Sequence, residues 1–370
     1  MKVAGQAMRP LRATPERDAV QVIDQRLLPH RLHLETLRTP HQVFTAIRDM
    51  WVRGAPLIGA TAAYGLALQM RLDASDGALQ ATADFLRSAR PTAVNLDWAT
   101  SRMLRALRPL AVADRAAAAW EAADALAEED VAVNAAIGRH GLALLHAIAG
   151  RKAAVGQTGA AGRVNLLTHC NAGWLATVDW GTATAPIYQA HAAGLPVHVW
   201  VDETRPRNQG ASLTAWELGQ AGVPHTLIAD NAGGHLMQHG QVDIVIVGCD
   251  RVTARGDVCN KIGTYLKALA AFDNGVPFYV AMPTSTLDLS LFDGVAEIPI
   301  EDRNGREVTH LSGRTAAGEV VEVCVTAEGT LAANPAFDVT PARLVTGLIT
   351  ERGIVPAEHN ALQRLMVTER

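Results

Sequence analysis

Apolar positions recur along the chain with two different periods, and the change falls near residue 150. Two short alternating runs come first, Gln21-Val-Ile-Asp and Arg31-Leu-His-Leu-Glu. They flank Pro29-His30 and predict a small antiparallel hairpin. From Thr39-Pro40 the spacing turns helical, with Val43, Ile47 and Met50-Trp51 three to four residues apart. That helix should end at Arg53-Gly54-Ala55-Pro56. Pro56 can open the next one, Leu57 to Met70, because a proline at the start of a helix loses no needed donor. Further helix is expected over Asp84 to Ser88, over Trp98 to Leu107 up to Pro109, and over the Ala-rich run Asp114 to Ala149.

Gly150 to Gly162 is small, polar and rich in glycine, which predicts a linker. Beyond it β-rich runs alternate with helix-length segments. The runs are Val164 to Cys170, Pro196 to Asp202, His225 to Asp230, Val242 to Asp250 and Pro277 to Pro283. Between them lie Ala183 to Ala193, Ala211 to Ala221, Gly234 to His239 and Lys261 to Asp273. Such alternation implies βαβ units and a parallel sheet covered on both faces. The Ile-Val-Ile-Val centre of the fourth run belongs in the middle of that sheet. The reading is an α/β chain of two domains. Residues 1–150 form a mainly helical N-terminal domain with a small antiparallel hairpin, and 151–370 a Rossmann-like, doubly wound α/β catalytic domain.

The length of 370 residues agrees with two domains at roughly 150 residues each. Thirty-three Lys and Arg against 37 Asp and Glu leave a net charge of −4, too mild a balance to recruit nucleic acid or an anionic membrane. The longest largely apolar stretch, Pro56 to Met70, is too short and interrupted to span a bilayer. The N-terminal residues carry no apolar signal-peptide core. Cysteines at 170, 249, 259 and 324 form no CxxC pair and no disulfide framework. A soluble protein of a reducing cytoplasm is expected.

In open parallel sheets, ligands bind outside the carboxyl ends of the strands. The polar groups there are Cys170-Asn171, Glu203-Thr204-Arg205, Asp230-Asn231, Asp250-Arg251 and Thr284. A buried cysteine is ordinarily a small hydrophobe, but Cys170 ends a strand and precedes Asn-Ala-Gly, which points toward function. His169 should face the opposite side and is a poor base for it; Cys249 likewise reads as core. Asp250 is either a cap or, if a pocket closes over it, an acid with a raised pKa. Arg53-Gly54-Ala55-Pro56 offers a guanidinium and free amides at a helix start, where a phosphate is favoured. Arg205, Arg207, Asn208 and Gln209 precede the helix at Gly210, Asn260-Lys261 open the next, and Arg90 adds a cation in a loop. Singly, such groups are ordinarily solvated; gathered at three helix starts they indicate a small phosphorylated ligand. GxxxxGK[ST], a strand–GxGxxG–helix unit and HExxH are missing from the sequence, and no histidine pair at metal-ligand spacing stands around the rim. A sugar-phosphate site without NAD, nucleoside triphosphate or structural zinc is expected.

Seven blocks, in order, carry a resemblance: Arg53-Gly-Ala-Pro-Leu-Ile-Gly-Ala, Arg90-Pro-Thr-Ala-Val-Asn-Leu, Thr168-His-Cys-Asn-Ala-Gly, Asp202-Glu-Thr-Arg-Pro-Arg-Asn-Gln-Gly, Val247-Gly-Cys-Asp-Arg, Asn260-Lys-Ile-Gly-Thr and Asn334-Pro-Ala-Phe-Asp-Val-Thr-Pro. The chain resembles the methylthioribose-1-phosphate isomerases, whose wider family includes ribose-1,5-bisphosphate isomerases. It also includes the regulatory subunits of the eukaryotic initiation factor 2B exchange factor. The resemblance implies a helical domain followed by a Rossmann-like one, a homodimer, and no metal or organic cofactor. It implies Cys170 and Asp250 as the catalytic pair, with Arg53, Gly54, Ala55, Arg90, Gln209, Asn260 and Lys261 binding substrate. The reaction implied is 5-methylthio-ribose 1-phosphate to 5-methylthio-ribulose 1-phosphate, a step of methionine salvage.

Phosphate on C1 blocks ordinary opening of the sugar ring, so an acid must protonate the ring oxygen, a role that suits a neutral Asp250. Hydrogen then reaches C1 from C2 either as a proton carried by a Cys170 thiolate or as a hydride that shifts directly. The sequence leaves both routes open. It also leaves open a bisphosphate or 5-deoxyribose 1-phosphate substrate, or a non-catalytic regulatory subunit. Trp51, Tyr64, Trp174 and Trp180 are candidate apolar walls for the C5 substituent, against ordinary core positions.

Overall fold

The computed structural model describes residues 1–91 and 93–367. Thr92, within the Arg90 to Leu96 block, lies outside the described residues. The expected hairpin forms as part of a three-stranded antiparallel sheet in which Val20–Ile23 lies between Leu11–Ala13 and Leu34–Leu37. Its second strand begins at Leu34 rather than Arg31, because Asp24 caps a short helical turn, Gln25–Leu27, that takes up the start of the connection.

Five helices follow. Helix α1 is Pro40–Arg48, opened by a capping box between Thr39 and Gln42. Helix α2, Ala55–Leu72, is buried almost all round, as its unbroken apolar run requires. Helix α3 is Asp76–Arg87 and α4 is Val94–Leu107. Helix α5 runs from Arg115 to Ala154. It continues through Gly150, where the linker was expected to start. Arg151 and Lys152 suit the negative end of the helix dipole, and the Lys152 ammonium donates to Arg163 O and Asp243. By length and composition Val112–Ala154 is long and apolar enough to cross a bilayer, which corrects the expectation that Pro56 to Met70 is the longest apolar stretch. In the fold α5 lies against α2 and helix α6, Ala185–Ala192.

The second half builds a seven-stranded sheet. Its strand order is Gly353–Val355, Gly347–Thr350, Phe278–Ala281, Ile244–Val247, Val164–Thr168, Val197–Asp202 and His225–Ile228. All neighbours are parallel except the first pair. Alternation along Ile244–Val247 shows why the run is apolar throughout. Ile244 and Ile246 enter a core with α5 and α6, while Val245 and Val247 enter one on the other face. That other face is covered by α8, Ala232–Gln238, and α9, Thr264–Asp273. Helix α7, Ala215–Gln220, follows a wide turn at Gly210–Thr214.

A second sheet was not foreseen. Arg251–Thr253, Val258–Lys261, Phe337–Thr340 and Leu287–Asp288 form four short strands beside the large sheet's carboxyl edge. This corrects the reading of Asn260-Lys261 as a helix start: both end a strand, paired with Asp338 and Phe337. Helix α9 begins only after Gly263, whose φ of +102° suits glycine, and the Asp338 carboxylate accepts from the Gly263 and Tyr265 amides.

Candidate active site

The carboxyl ends of Val164–Thr168 and Ile244–Val247 face the N-terminus of α2 across a cavity. Arg53, Gly54, Ala55, Cys170, Asn171, Asp250 and Asn260 are among its lining residues. Gly54 stands just before α2 with a φ of +98°, and a Cβ on it would fall 2.4 Å from Ala176 O. Only glycine fits there, so the loop after Cys170 packs directly onto the helix start. The arrangement presents first-turn amides and the Arg53 guanidinium to the cavity, a ready site for an anion.

Arg53 is not loose. Its two terminal nitrogens donate to Asn171, one to Oδ1 at 2.6 Å and one to the carbonyl at 2.8 Å. Cys170 is buried and has a left-handed φ of +65°, unusual for a non-glycine residue. Two hydroxyls hold it so: the Cys170 amide donates to Thr204 Oγ1 at 2.8 Å, and Thr214 Oγ1 donates to Cys170 O at 2.7 Å. Thr204 and Asn208 are left-handed too, at +65° and +56°. Such clustering of backbone strain marks functional turns.

Asp250 leaves the end of its strand and its amide donates to Cys259 O, which ties it to the small sheet. Burial pushes its carboxyl above the ordinary range, and Arg90, Lys261 and Arg53 only partly offset that. Burial pushes the Cys170 thiol up as well, against the pull of Arg53 and Lys261. Lys261 is buried with its ammonium 5.0 Å from the Phe337 ring centroid, and burial draws its pKa down. Burial thus favours the neutral form of both the thiol and the carboxyl, with Arg53 and Lys261 acting on each and Arg90 on the carboxyl as well.

Arg90 and Asp250 line an adjoining cavity with Ala55 and Phe337. Arg90 lies 3.3 Å from Glu301, which also pairs with Arg303 at 2.7 Å. The Arg90 Nε is buried without a partner. Gln209 lines a wider groove that shares Arg53 with the first cavity, and its Oε1 is likewise buried and unpartnered. Of the residues that the resemblance assigns to the site, Arg53, Gly54, Ala55, Cys170, Asp250 and Asn260 thus line the first cavity, Arg90 the adjoining one and Gln209 the groove. Lys261 takes part from a strand end rather than a helix start. Asn260 donates to Thr264 Oγ1 at 3.0 Å and lines the first cavity.

His169 also lines the cavity, but its ring is engaged elsewhere. Nδ1 lies 3.2 Å from Asp202 Oδ2 and Nε2 lies 2.9 Å from Ile262 O. With Asp230 these groups could offer three metal ligands. The Lys267 ammonium stands 3.1 Å from Asp202 and also donates to Asp230 O, supplying the positive charge that the acids need. The aromatic walls expected for a C5 pocket do not line the cavity. Trp174 is fully buried beside Trp216, Tyr64 donates to Asp124, and Trp51 lies under Arg26. Trp180 packs at the edge of the core under the sheet.

Some groups escaped the sequence reading. The sequence puts Asn171 and Thr204 on the rim but gives them no role, and it hides Thr214 and Glu217 inside the helix-length segment Ala211 to Ala221. Asp130 on α5 accepts from the Val178 amide at 2.7 Å and so pins the loop behind Gly54; burial lifts its pKa to about 7. An acid within an apolar stretch of a helix was the available signal for Glu217.

Residues 51–357 match the family model described as the initiation factor 2 subunit family. A methylthioribose-1-phosphate isomerase of Cereibacter sphaeroides (strain KD131 / KCTC 12085) is 61% identical over 365 residues, 99% of this chain and 98% of that protein. The crystal structure of 5-methylthioribose 1-phosphate isomerase from Pyrococcus horikoshii OT3 superposes with a TM-score of 0.83 at 38% identity, covering 98% of this chain and 97% of that one. A structure of the translation initiation factor eIF-2B, subunit delta, from A. fulgidus superposes at 0.76, also with 38% identity, over 95% of this chain and 96% of its own. With the family model spanning most of its length and a relative so similar from end to end, the chain belongs to the initiation factor 2 subunit family.

Proposed function

We propose that this protein is an aldose–ketose isomerase that converts 5-methylthioribose 1-phosphate to 5-methylthioribulose 1-phosphate, a step of methionine salvage. The observation that carries the reading is the meeting of Arg53, Gly54, Cys170, Asp250 and Asn260 around one cavity, in a chain 61% identical to a protein of that name. Arg53 and the α2 amides hold the phosphate, with Arg90 and Lys261 adding charge. Asp250 gives its proton to the ring oxygen as the C1–oxygen bond breaks, leaving a cation at C1 that the phosphate oxygen shares. A hydride then moves from C2 to C1, and the C2 hydroxyl returns its proton to Asp250 as the ketone forms. Cys170 enters as a thiol and lines the dry cavity around the cationic intermediate. This route is favoured over proton abstraction because burial raises the Cys170 pKa, so a thiolate is scarce near neutral pH.

The test is an isomerase assay on purified protein without added cofactor, comparing 5-methylthioribose 1-phosphate with ribose 1,5-bisphosphate. We expect strong preference for the thioether. Preference for the bisphosphate overturns the substrate and keeps the chemistry. Silence on both, from folded protein that still binds sugar phosphate, favours the alternative of a non-catalytic regulatory subunit. Substrate carrying deuterium at C2, turned over in ordinary water, should retain the label at C1. Its loss to solvent would return Cys170 to the role of base.

A further inference from the structure

Glu217 is a fully buried acid that the proposed mechanism does not use. It projects from α7 beneath the turn that follows Cys170, where each carboxylate oxygen accepts from a different group. Oε1 takes Asn171 Nδ2 at 3.2 Å, and Oε2 takes the Leu175 amide at 3.2 Å. Arg53 donates to Asn171 Oδ1, which fixes the orientation of that amide, so its nitrogen must face Glu217. The same Asn171 nitrogen lies 3.2 Å from Thr214 Oγ1, whose hydroxyl holds Cys170 O. A chain of bonds therefore runs from Glu217 through Asn171 to both Arg53 and the Cys170 backbone. A second observation is steric. A Cβ at Gly173 would lie 1.2 Å from Glu217 Oε1, so this glycine leaves room for the carboxyl and for nothing else.

We propose that Glu217 is a positioning residue that, through Asn171, sets the guanidinium of Arg53 and the strained backbone at Cys170, a role that rests on the isomerase reading above. Its oxygens must both act as acceptors. A glutamine of the same shape offers one acceptor and one amide nitrogen, so either Asn171 Nδ2 or the Leu175 amide would face another donor. Burial lifts the Glu217 pKa to about 8, with Arg53 and its hydrogen-bond donors pulling the other way. The protonated acid keeps both bonds, because a hydroxyl oxygen accepts as a carboxylate oxygen does, whereas the amide nitrogen of a glutamine cannot. Tyr188, also buried, lies close by and has its own pKa raised by burial and by Glu217.

The test compares the parent, Glu217→Gln, Arg53→Lys and the double variant by isomerase kinetics on 5-methylthioribose 1-phosphate. Inorganic phosphate, titrated by calorimetry, probes the Arg53 site without turnover. We expect Glu217→Gln to raise KM and weaken phosphate binding by about tenfold each, with kcat moving less. Added to Arg53→Lys, it should cost less than about twofold more, because both changes act on one guanidinium. Independent, additive effects overturn the role, as does a folded Glu217→Gln protein whose KM and phosphate affinity match the parent's. Should Glu217→Gln fail to fold, Asn171→Ala cuts the same link and leaves the Glu217–Leu175 bond intact. The same rise in KM then supports the proposal, and an unchanged KM overturns it. A parent that binds phosphate but does not isomerise refutes the activity alone, and the phosphate titration still decides the role of Glu217. A parent that binds no phosphate overturns both.

Discussion

Asp250→Asn should lose at least about a thousandfold in kcat/KM while keeping its fold, because an amide has no proton to give the ring oxygen. The substitution keeps volume and shape, so the cavity and the amide bond to Cys259 O remain. Stability should change in a definite direction. The Asp250 pKa is raised by burial, so the native state holds this proton more tightly than the unfolded chain does. Whatever stability that lends is present below the ordinary carboxyl range and is lost as pH climbs through the raised pKa. The asparagine variant has nothing to lose, so relative to the parent it should become more stable from mildly acidic to alkaline pH. Denaturant unfolding at several pH values reads this out, and an activity profile of the parent should fall on its alkaline side as Asp250 ionises. An Asp250→Asn protein with near-parental turnover would remove Asp250 from the chemistry.

The second large effect is expected at Cys170. Cys170→Ala should cost about a hundredfold or more in kcat, the scale of losing one group that favours the transition state. Alanine tolerates the left-handed φ no better than cysteine does, so the backbone remains dependent on the hydroxyls of Thr204 and Thr214. The melting temperature should therefore shift little, and single-turnover measurements should place the loss in the chemical step rather than in binding. A Cys170→Ala enzyme with parental kcat would reduce the thiol to packing.

The alternation of β-rich and helical segments was readable, since each central strand carries an unbroken apolar run that only a doubly covered sheet can bury. It followed that Cys170 and Asp250 share an edge, and the cavity they line bears this geometry out. The small second sheet was not readable. Its strands have two to four residues and pair with partners as distant as Lys261 and Phe337. Asn260-Lys261 accordingly read as the opening of a helix. Glu217 escaped for a related reason. An acid on a helix ordinarily faces water, and only the loop bearing Gly173 and Leu175, which closes over it, makes it a buried acceptor.

Helix α5, with its 40 residues, is a rod about 60 Å long. Its first half supplies Ala119, Trp120, Ala123 and Leu126 to the core around α2, and its second half supplies Ile137, Leu145 and Ile148 to the core under the large sheet. Midway, Asp130 reaches the loop that backs the phosphate turn. One continuous hydrogen-bonded element is thus shared by both cores and by the wall of the cleft. A break near its middle would part the apolar stripe that serves the helical core from the one that serves the sheet, so the two cores share a single strut.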